Sequence, residues 1–263
     1  MAIVGFIGTG NMGSALARAA AKSAQTERLL LANRTPEKAQ KLAEELGGEL
    51  RSNRETAAQA QVLFFAVKPQ MLDDMLDEIR DVLLARKDRF IVVSLVAGKD
   101  LATLRKLLGG NVPVVRIMPN IPVQVGGGVT LMCAAREVTE AERESLREFL
   151  SASGAVMELD EHLLDAATGV TGCGPAFAAL FVEALADGAV ACGLPRKQAI
   201  VYAAQMLMGT AKLLLETGEH PGSLKDRVCS PGGSTIEGVR KLEQHAFRAA
   251  VTEAVIASFE KEF

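Results

Sequence analysis

Two glycine-rich motifs near opposite ends of the 263-residue chain carry the residue types that could do chemistry. Near the start, Gly8, Gly10 and Gly13 form a Gly-x-Gly-x-x-Gly pattern. Glycines at this spacing allow a tight turn, bring backbone N–H groups close to a pyrophosphate and let a helix pack closely on a strand. Far downstream, residues 230–235 read Ser-Pro-Gly-Gly-Ser-Thr and precede a predicted helix. Their backbone N–H groups and hydroxyls could bind a carboxylate. The sequence therefore predicts a dinucleotide site and a second site for a small anion.

The first motif has the local context that a dinucleotide site requires. A short apolar run at residues 3–7 predicts a strand buried on both faces, and an alanine-rich pattern predicts a helix from residue 11 to about residue 22. The N-terminus of such a helix offers oriented N–H groups and partial positive charge to phosphates. A glycine turn without a ligand is the alternative. We expect the cofactor beside Ile7, Gly8, Thr9, Gly10, Asn11, Met12 and Gly13.

The residues after the second predicted strand distinguish between two nicotinamide cofactors. A site for NAD usually places Asp or Glu there, where the carboxylate binds the ribose 2′-hydroxyl. This chain has Asn33, Arg34 and Thr35 instead, and these side chains can bind a 2′-phosphate, which a carboxylate would repel. The sequence therefore predicts NADPH as the cofactor, with NADH bound more weakly. The alternative is that Arg34 is only a solvated residue beside a helix.

Two further loops follow predicted strands at residues 62–67 and 90–95. They lie at the edge where open α/β sheets bind their ligands, the carboxyl ends of the strands. Lys68 could contact a phosphate or a ribose, or could be only an exposed loop lysine. We expect the cofactor to contact both loops, through Ala66, Val67, Lys68, Pro69, Ser94, Ala97 and Gly98.

The elements that must position these residues change in type along the chain. Strands and helices alternate at first, with further strands predicted at residues 29–32, 112–117, 128–132 and 155–159 and helices beginning at Thr35-Pro36 and Thr139. Beyond Asp160 the patterns are helical, at residues 175–192, 196–217, 235–245 and 247–263. The sequence therefore predicts an α/β N-terminal Rossmann-like doubly wound sheet at residues 1–159 and an all-α C-terminal domain at residues 160–263.

The predicted C-terminal helices have little polar surface. Residues 176–182 and 199–204 are apolar around much of the helix circumference. A small domain cannot easily enclose so much apolar surface, so we predict a helical dimer interface and a homodimer, or a higher homo-oligomer of dimers. The alternative is a buried central hairpin within one subunit.

Composition excludes several classes of partner. The net charge is −3, lysines and arginines form no block, and aromatic residues are 4% of the chain with no Trp, so we expect no nucleic acid partner and no membrane surface. We also expect no apolar run long enough to span a bilayer and no signal peptide. Four scattered cysteines without a Cys-x-x-Cys pair argue against a metal site and favour a reducing cytoplasm. Cys173 and Cys229 lie beside glycine motifs but have no histidine nearby in sequence to activate them.

Together these motifs resemble pyrroline-5-carboxylate reductase over essentially the whole chain. The resemblance rests on the segments at residues 5–13, 66–70, 118–120, 171–177, 193–196 and 226–236, of which the last is the most specific. The family usually has Ser-Gly-Ser-Gly-Pro-Ala-Tyr at residues 171–177. Thr171, Cys173 and Phe177 depart from that pattern, which weakens any requirement for hydroxyls at those positions but leaves the glycine–proline frame intact.

The resemblance implies reduction of Δ1-pyrroline-5-carboxylate to L-proline by NAD(P)H, the last step of proline biosynthesis. It implies a helical C-terminal domain that dimerises. It also implies that Asn53 contacts the cofactor ribose, that Glu161 lies near the substrate and that the Thr235 hydroxyl meets the imine nitrogen. The substrate carboxylate would lie on Ser230, Gly232, Gly233, Ser234 and Thr235, with Val228 alongside.

The chemistry is consistent with these residues. Hydride passes from nicotinamide C4 to the ring C=N carbon, and the nitrogen must be protonated or strongly hydrogen-bonded as it arrives. A cyclic imine is basic enough to enter partly as iminium, so no strong general acid is required. The hydroxyls of Ser230 and Thr235 are therefore the candidate catalytic groups, and orientation supplies most of the rate.

Two other interpretations remain open from sequence. A β-hydroxyacid dehydrogenase of the 6-phosphogluconate type shares the glycine motif and the Asn-Arg-Thr segment. It needs a catalytic lysine on a C-terminal helix, where residues 174–179 contain none, although Lys197 and Lys212 lie on the long helices. A non-enzymatic NADP(H)-binding regulator is the second alternative, but a regulator has no need of a second small-anion site.

Overall fold

The computed structural model describes residues 1–110 and 112–262. They form two compact units, Met1–Gly172 and Cys173–Glu262. The division lies after the helix Glu161–Thr171 rather than at the predicted boundary after residue 159. The reason is that this helix packs on the first unit through the fully buried Leu164. The boundary of the functional domains stays a prediction.

The first unit is built on a single eight-stranded sheet. Its strands are β1 (Ala2–Ile7), β2 (Thr26–Ala32), β3 (Glu49–Leu50), β4 (Val62–Phe65), β5 (Ile91–Ser94), β6 (Val114–Pro119), β7 (Gly128–Ala134) and β8 (Gly154–Glu158). Their spatial order is β3-β2-β1-β4-β5-β6-β7-β8, and all neighbours are parallel except β6 and β7. The chain therefore winds outward in both directions from β1, and the carboxyl ends of β1 and β4 form the crevice where such sheets bind ligands.

Helices connect these strands where the sequence carries helix start and stop signals. They are α1 (Asn11–Lys22), α2 (Pro36–Leu46), α3 (Asn53–Gln59), α4 (Leu72–Ala85), α5 (Leu101–Leu107), α6 (Glu140–Leu150) and α7 (Glu161–Thr171), with short 3-10 turns at Pro69–Met71, Ile121–Val125 and Ser151–Ser153. Helix α2 begins with Pro36 after Thr35 and ends at Gly47, whose φ of 66° is the left-handed conformation that glycine adopts readily. Helix α6 begins with a capping box of Thr139 and Glu142.

The strands are buried on both faces, as the apolar runs predict. Phe6 of β1 and Phe64 of β4 stack on one face with ring centroids 4.3 Å apart. Phe65 and Ile79 are fully buried on the other face. Burying both faces holds the central strands rigidly, so the loops at their carboxyl ends start from fixed positions.

The second unit is helical. Its helices are α8 (Gly174–Ala191), α9 (Arg196–Thr217), α10 (Pro221–Val228), α11 (Ser234–Gln244) and α12 (Phe247–Glu262). Large apolar side chains on α8 and α9 remain exposed, with Leu180 at 66% and Val201 at 61% of their full surface. The helices α8 and α9 therefore do not form a buried hairpin within one subunit, which was the alternative to a dimer interface.

Two helical segments of the described residues, Glu161–Ala191 and Arg196–Thr217, are long and apolar enough to cross a membrane. The expectation that no apolar run reaches this length was therefore wrong. Length and composition alone are weak indications of a membrane span. Of the most apolar 18 residues in each segment only 11% are buried in a single chain, so each segment offers apolar surface to a partner as well.

Candidate functional site

The first unit contains a cleft of about 960 Å³ at the carboxyl ends of β1, β2 and β4. It is large enough for a dinucleotide to lie partly enclosed. The cleft brings together ten of the predicted cofactor-binding residues, namely Ile7, Gly8, Gly10, Asn33, Arg34, Thr35, Asn53, Ala66, Val67 and Lys68. They come from four separate loops, which the sheet topology places side by side.

The glycine turn has the geometry of a phosphate-binding loop. Gly8 has a φ of +105°, and a Cβ there would lie 2.5 Å from the carbonyl oxygen of Ala66, so only glycine fits. A Cβ on Gly13 would lie 2.2 Å from the carbonyl oxygen of Gly8, whereas nothing lies within 4 Å of the same position on Gly10. Gly10 caps α1 without a side-chain hydrogen bond, so the first-turn N–H groups of α1 lack a side-chain cap. The residues present fit a pyrophosphate.

Asn33 joins the glycine turn to the loop after β2. Its Oδ1 accepts a hydrogen bond of 3.1 Å from the N–H of Thr9, and its Nδ2 donates to the carbonyl oxygen of Thr35 at 3.0 Å. Thr9 is itself buried, and its Oγ1 has no hydrogen-bond partner among the described residues. Asn33 therefore ties the loop that carries Arg34 to the glycine turn, whereas the sequence predicted Asn33 only as a ligand of the 2′-phosphate.

The side of the cleft next to α2 is basic. Arg34 and Lys38 are exposed there, and within residues 1–110 and 112–262 neither has an ion-pair partner. Arg51 also lines the cleft, but its guanidinium is bonded to Glu49 and to the carbonyl oxygen of Leu50. Lys38 was not among the residues predicted from sequence, although its place in the first turn of α2 was a signal. A cation near a helix N-terminus is unfavourable unless an anion accompanies it.

The opposite side of the cleft, next to α3 and α4, is acidic. Glu55, Asp74 and Glu78 line it together with Asn53. Asn53 donates a hydrogen bond of 2.6 Å from Nδ2 to Oε2 of Glu78. Sequence reasoning found Asn53 but not its carboxylate partner, because the two residues lie in different helices and share no local pattern. The cleft is thus polarised, with cations at one side and carboxylates at the other.

The remaining predicted cofactor-binding residues lie outside the lining of this cleft. Thr9, Asn11, Met12 and Gly13 belong to the glycine turn and the start of α1, and Pro69 opens a 3-10 turn. Ser94 is buried, and its Oγ accepts a hydrogen bond of 3.2 Å from the N–H of Val96. Ala97 and Gly98 follow in the same loop, where Gly98 has a φ of +69°. Contact of the cofactor with these residues stays a prediction.

Glu161, predicted near the substrate, is engaged within the first unit. Its Oε1 accepts a hydrogen bond of 2.7 Å from the N–H of Leu101, the first residue of α5, and one of 3.0 Å from Nη1 of Arg116. Arg116 is buried on β6 and also lies 3.6 Å from Asp165. This arginine, inside an apolar strand, was not among the residues predicted from sequence. Glu161 therefore anchors the start of α7, and its contact with substrate remains a prediction.

The structure places one of the four cysteines, Cys133, where its thiol is unreactive. Cys133 lies opposite Arg116 on β7, and burial raises the pKa of its thiol to about 11, since the charged form is poorly solvated. Cys173 and Cys229, beside the glycine motifs, are half-buried free thiols. The thiolate is the reactive form, so Cys133 is inert at neutral pH.

In the second unit the Ser-Pro-Gly-Gly segment forms a turn between α10 and α11. Gly232 has a φ of +66°, and the N–H of Gly233 donates to the carbonyl oxygen of Ser230 at 3.0 Å. Gly233 caps α11 without a side-chain hydrogen bond, so the first N–H groups of that helix lack a side-chain cap. Ser230, Ser234 and Thr235 are exposed at this turn, as is Val228 at the end of α10. An exposed helix N-terminus with hydroxyls around it fits a small carboxylate.

Comparison with known proteins identifies the family. A family model described as pyrroline-5-carboxylate reductase dimerisation matches residues 161–262, and one described as NADP oxidoreductase coenzyme F420-dependent matches residues 3–98. The pyrroline-5-carboxylate reductase of Escherichia coli is 41% identical over 261 residues, which cover 98% of this chain and 96% of that protein. The chain belongs to the pyrroline-5-carboxylate reductase family. The resemblance seen in sequence is confirmed, and the two alternative interpretations, a hydroxyacid dehydrogenase and a regulator, are set aside.

Solved structures of the family share the fold of this reductase. A pyrroline-5-carboxylate reductase from Coxiella burnetii has a TM-score of 0.91 at 29% identity and covers 98% of this chain and 96% of its own. The enzyme from Plasmodium falciparum, solved with NADP bound, has a TM-score of 0.85 at 29% identity and covers 99% of this chain and 97% of its own. The predicted fold class, a Rossmann-like sheet followed by an all-α dimerisation domain, is confirmed.

Proposed function

We propose that this chain reduces Δ1-pyrroline-5-carboxylate to L-proline with NADPH, the last step of proline biosynthesis. The observation that carries the proposal is the near full-length match to a reductase of that name, in a chain that retains both glycine turns. The reaction consumes the imine, NADPH and one proton and yields proline and NADP⁺.

NADPH would lie in the cleft of the first unit, where it supplies the hydride. The glycine turn at Gly8 and Gly10 would hold the pyrophosphate against the N-terminus of α1. Arg34 would bind the 2′-phosphate, with Lys38 beside it, because both cations line the cleft without an ion-pair partner among the described residues. The residues directly after β2 are Asn33, Arg34 and Thr35 rather than a carboxylate that would bind a 2′-hydroxyl, so NADH would bind more weakly.

The substrate carboxylate would lie on the turn before α11. The N–H groups that begin this helix would donate to it, and the exposed hydroxyls of Ser230 and Thr235 would join them. We assign Thr235 to the imine nitrogen, where its hydroxyl would hold the proton as hydride reaches the ring carbon. Fixing the carboxylate also fixes the ring, which lowers the entropic part of the barrier.

The second unit would make the enzyme a homodimer. The family model that matches residues 161–262 is a dimerisation model, and α8 and α9 expose large apolar side chains in the single chain. We place the enzyme in the cytoplasm, since its four cysteines are free thiols, as a reducing compartment keeps them.

The test is to mix the purified protein with NADPH and DL-pyrroline-5-carboxylate and follow nicotinamide absorbance. Oxidation that requires protein, cofactor and imine together, with proline as the product, is the expected result. A protein that binds cofactor but oxidises neither NADPH nor NADH with this imine would contradict the proposal. Replacing the imine with a hydroxy acid and NADP⁺ tests the dehydrogenase alternative in the same instrument.

A further inference from the structure

Glu78 and Asn53 form a side-chain pair at the acidic side of the cofactor cleft. Asn53 is the first residue of α3 and Glu78 lies in the middle of α4, and both line the cleft. The Nδ2 of Asn53 donates to Oε2 of Glu78 at 2.6 Å. The residues are 25 positions apart in sequence, so the pair exists only because α3 and α4 pack side by side.

The backbone around this pair is held in place on both helices. Ser52 and Glu55 form a capping box that fixes the start of α3, where Asn53 lies. The guanidinium of Arg54, the next residue, donates to the backbone carbonyl oxygen of Glu78 at 2.6 Å and to both carboxylate oxygens of Asp81. The backbone positions of Asn53 and Glu78 are therefore fixed relative to each other, which keeps the two side chains within hydrogen-bonding distance.

This hydrogen bond selects one of two orientations of the Asn53 amide. An asparagine amide has a donor end and an acceptor end, and a carboxylate can accept only. With the NH₂ group bound to Glu78, the Oδ1 oxygen remains as an acceptor. A ribose hydroxyl is a donor and can use it, whereas a phosphate oxygen is an acceptor and cannot.

We propose that Glu78 is a positioning residue that orients Asn53 to accept a hydrogen bond from a ribose hydroxyl of the bound dinucleotide. This inference rests on the proposed binding of NADPH in the cleft. It also explains why a carboxylate lies in a cleft that takes a polyanion, where its charge alone disfavours binding. The basic side near Arg34 then receives the phosphate, and the acidic side near Glu78 receives hydroxyls.

Cofactor affinity of the full-length enzyme tests the proposal without relying on turnover. Calorimetric titration with NADPH gives the dissociation constant for wild type, Glu78→Ala, Glu78→Gln, Asn53→Ala and the double variant Asn53→Ala/Glu78→Ala. We expect Glu78→Ala to weaken binding about fivefold, the usual size of one hydrogen bond. Asn53→Ala should weaken it at least as much, and the double variant should be no weaker than Asn53→Ala alone.

The conservative variant separates positioning from charge. Glutamine at position 78 keeps an oxygen that accepts from Asn53 Nδ2 but has no charge, so Glu78→Gln should bind NADPH as tightly as wild type or more tightly. Asp77→Ala is the matched control, because it removes a carboxylate from the same helix outside the cleft lining. Melting temperatures without cofactor should be nearly equal across the set, since Glu78 is exposed and Asn53 is only half-buried.

Three results would overturn the inference. Tighter binding by both Glu78→Ala and Glu78→Gln would mean that Glu78 acts by charge alone. Additive losses from Asn53→Ala and Glu78→Ala would mean that the two side chains act separately. If wild type binds NADPH and Glu78→Ala binds it with the same affinity, the positioning role of Glu78 is wrong while the proposed function stands. If wild type does not bind NADPH, both the positioning role and the proposed function are wrong.

Discussion

At the scale of single residues, Arg34 is the side chain that should decide the preference for NADPH over NADH. Its guanidinium is exposed in the cleft and free of ion pairs among the described residues, so it can form a charge-assisted hydrogen bond to a 2′-phosphate. Losing such a bond costs about 1.5–3 kcal/mol, so Arg34→Ala should raise the KM for NADPH roughly tenfold or more. The KM for NADH, which lacks the phosphate, should change little. Steady-state kinetics with both cofactors measure this.

Arg80→Ala is the control for that experiment, since Arg80 is an exposed arginine on α4 outside the cleft lining. It should leave both KM values near those of wild type. Equal increases for NADPH and NADH in Arg34→Ala would contradict the 2′-phosphate assignment and leave Arg34 as a solvated residue beside α2.

The hydroxyl of Thr235 is proposed to hydrogen-bond the imine nitrogen during hydride transfer. Valine has the same shape without the hydroxyl, so Thr235→Val should lower kcat about tenfold to a hundredfold and leave the dissociation constant of NADPH unchanged. Thr235→Ser should recover much of the loss because it restores the hydroxyl. Thr210→Val on α9 is the matched control, because among the described residues the Thr210 hydroxyl donates only to the carbonyl oxygen and the sulfur of Met206 on the same helix. Full turnover by Thr235→Val would remove Thr235 from the mechanism.

At the scale of secondary-structure elements, what could be predicted from sequence is what local patterns determine. The bounds of α1 and α9 match the predicted ones, and α2 starts and stops at the predicted proline and glycine. Strand β3, with two residues, was missed because only its pairing with β2 makes it a strand. The role of Arg116 was missed because a charge inside an apolar strand depends on Glu161, which is 45 residues away. Local patterns were thus enough to predict the phosphate-binding turn. Side-chain pairs between different elements could not be predicted, because they depend on how the elements pack.

The start of α6 gives an element-level prediction about acid. A hydrogen bond from the Arg89 side chain holds the pKa of Glu142 below its usual range, with further help from Thr139 in the capping box. A depressed pKa means that the stabilisation is present above the unfolded pKa, about 4.3, and is lost as the pH falls through the folded value. Glu142→Gln keeps a capping side chain but loses the charge, so it should cost about 0.5–1 kcal/mol at pH 7.

Urea unfolding at one fixed protein concentration, from pH 7 down to about pH 3, measures this difference. The gap between wild type and Glu142→Gln should close as the pH falls below about 4. Glu148→Gln is the control, because Glu148 is exposed on the same helix and its carboxylate has no ion-pair partner among the described residues. A gap that persists unchanged at the acid end would mean that the glutamine disturbs the cap itself.

At the scale of the whole molecule, the apolar surface of the second unit predicts the assembly. Leu180 on α8 and Leu215 on α9 are 66% and 81% exposed in the single chain, and both helices belong to the region matched by the dimerisation model. Burying a leucine side chain is worth about 1.5–3 kcal/mol, so a few such residues in a shared interface outweigh the entropy lost on association. A charge placed there would have to be buried without a partner. Leu180→Glu should therefore weaken the dimer at least tenfold.

Sedimentation equilibrium of wild type and Leu180→Glu over a range of protein concentrations measures that change. Wild type should sediment as a dimer or as a multiple of dimers, and the variant should shift toward monomer on dilution. Lys212→Glu is the control for adding a negative charge to this unit. The Lys212 side chain on α9 is 72% exposed, so a glutamate there need not be buried and the dimer should persist. Because NADPH would bind within the first unit, cofactor affinity of the monomeric variant should survive. If Leu180→Glu remains a dimer while Lys212→Glu dissociates, the prediction is wrong. The interface would then lie on the side of α9 that carries Lys212 and not on the apolar face of α8.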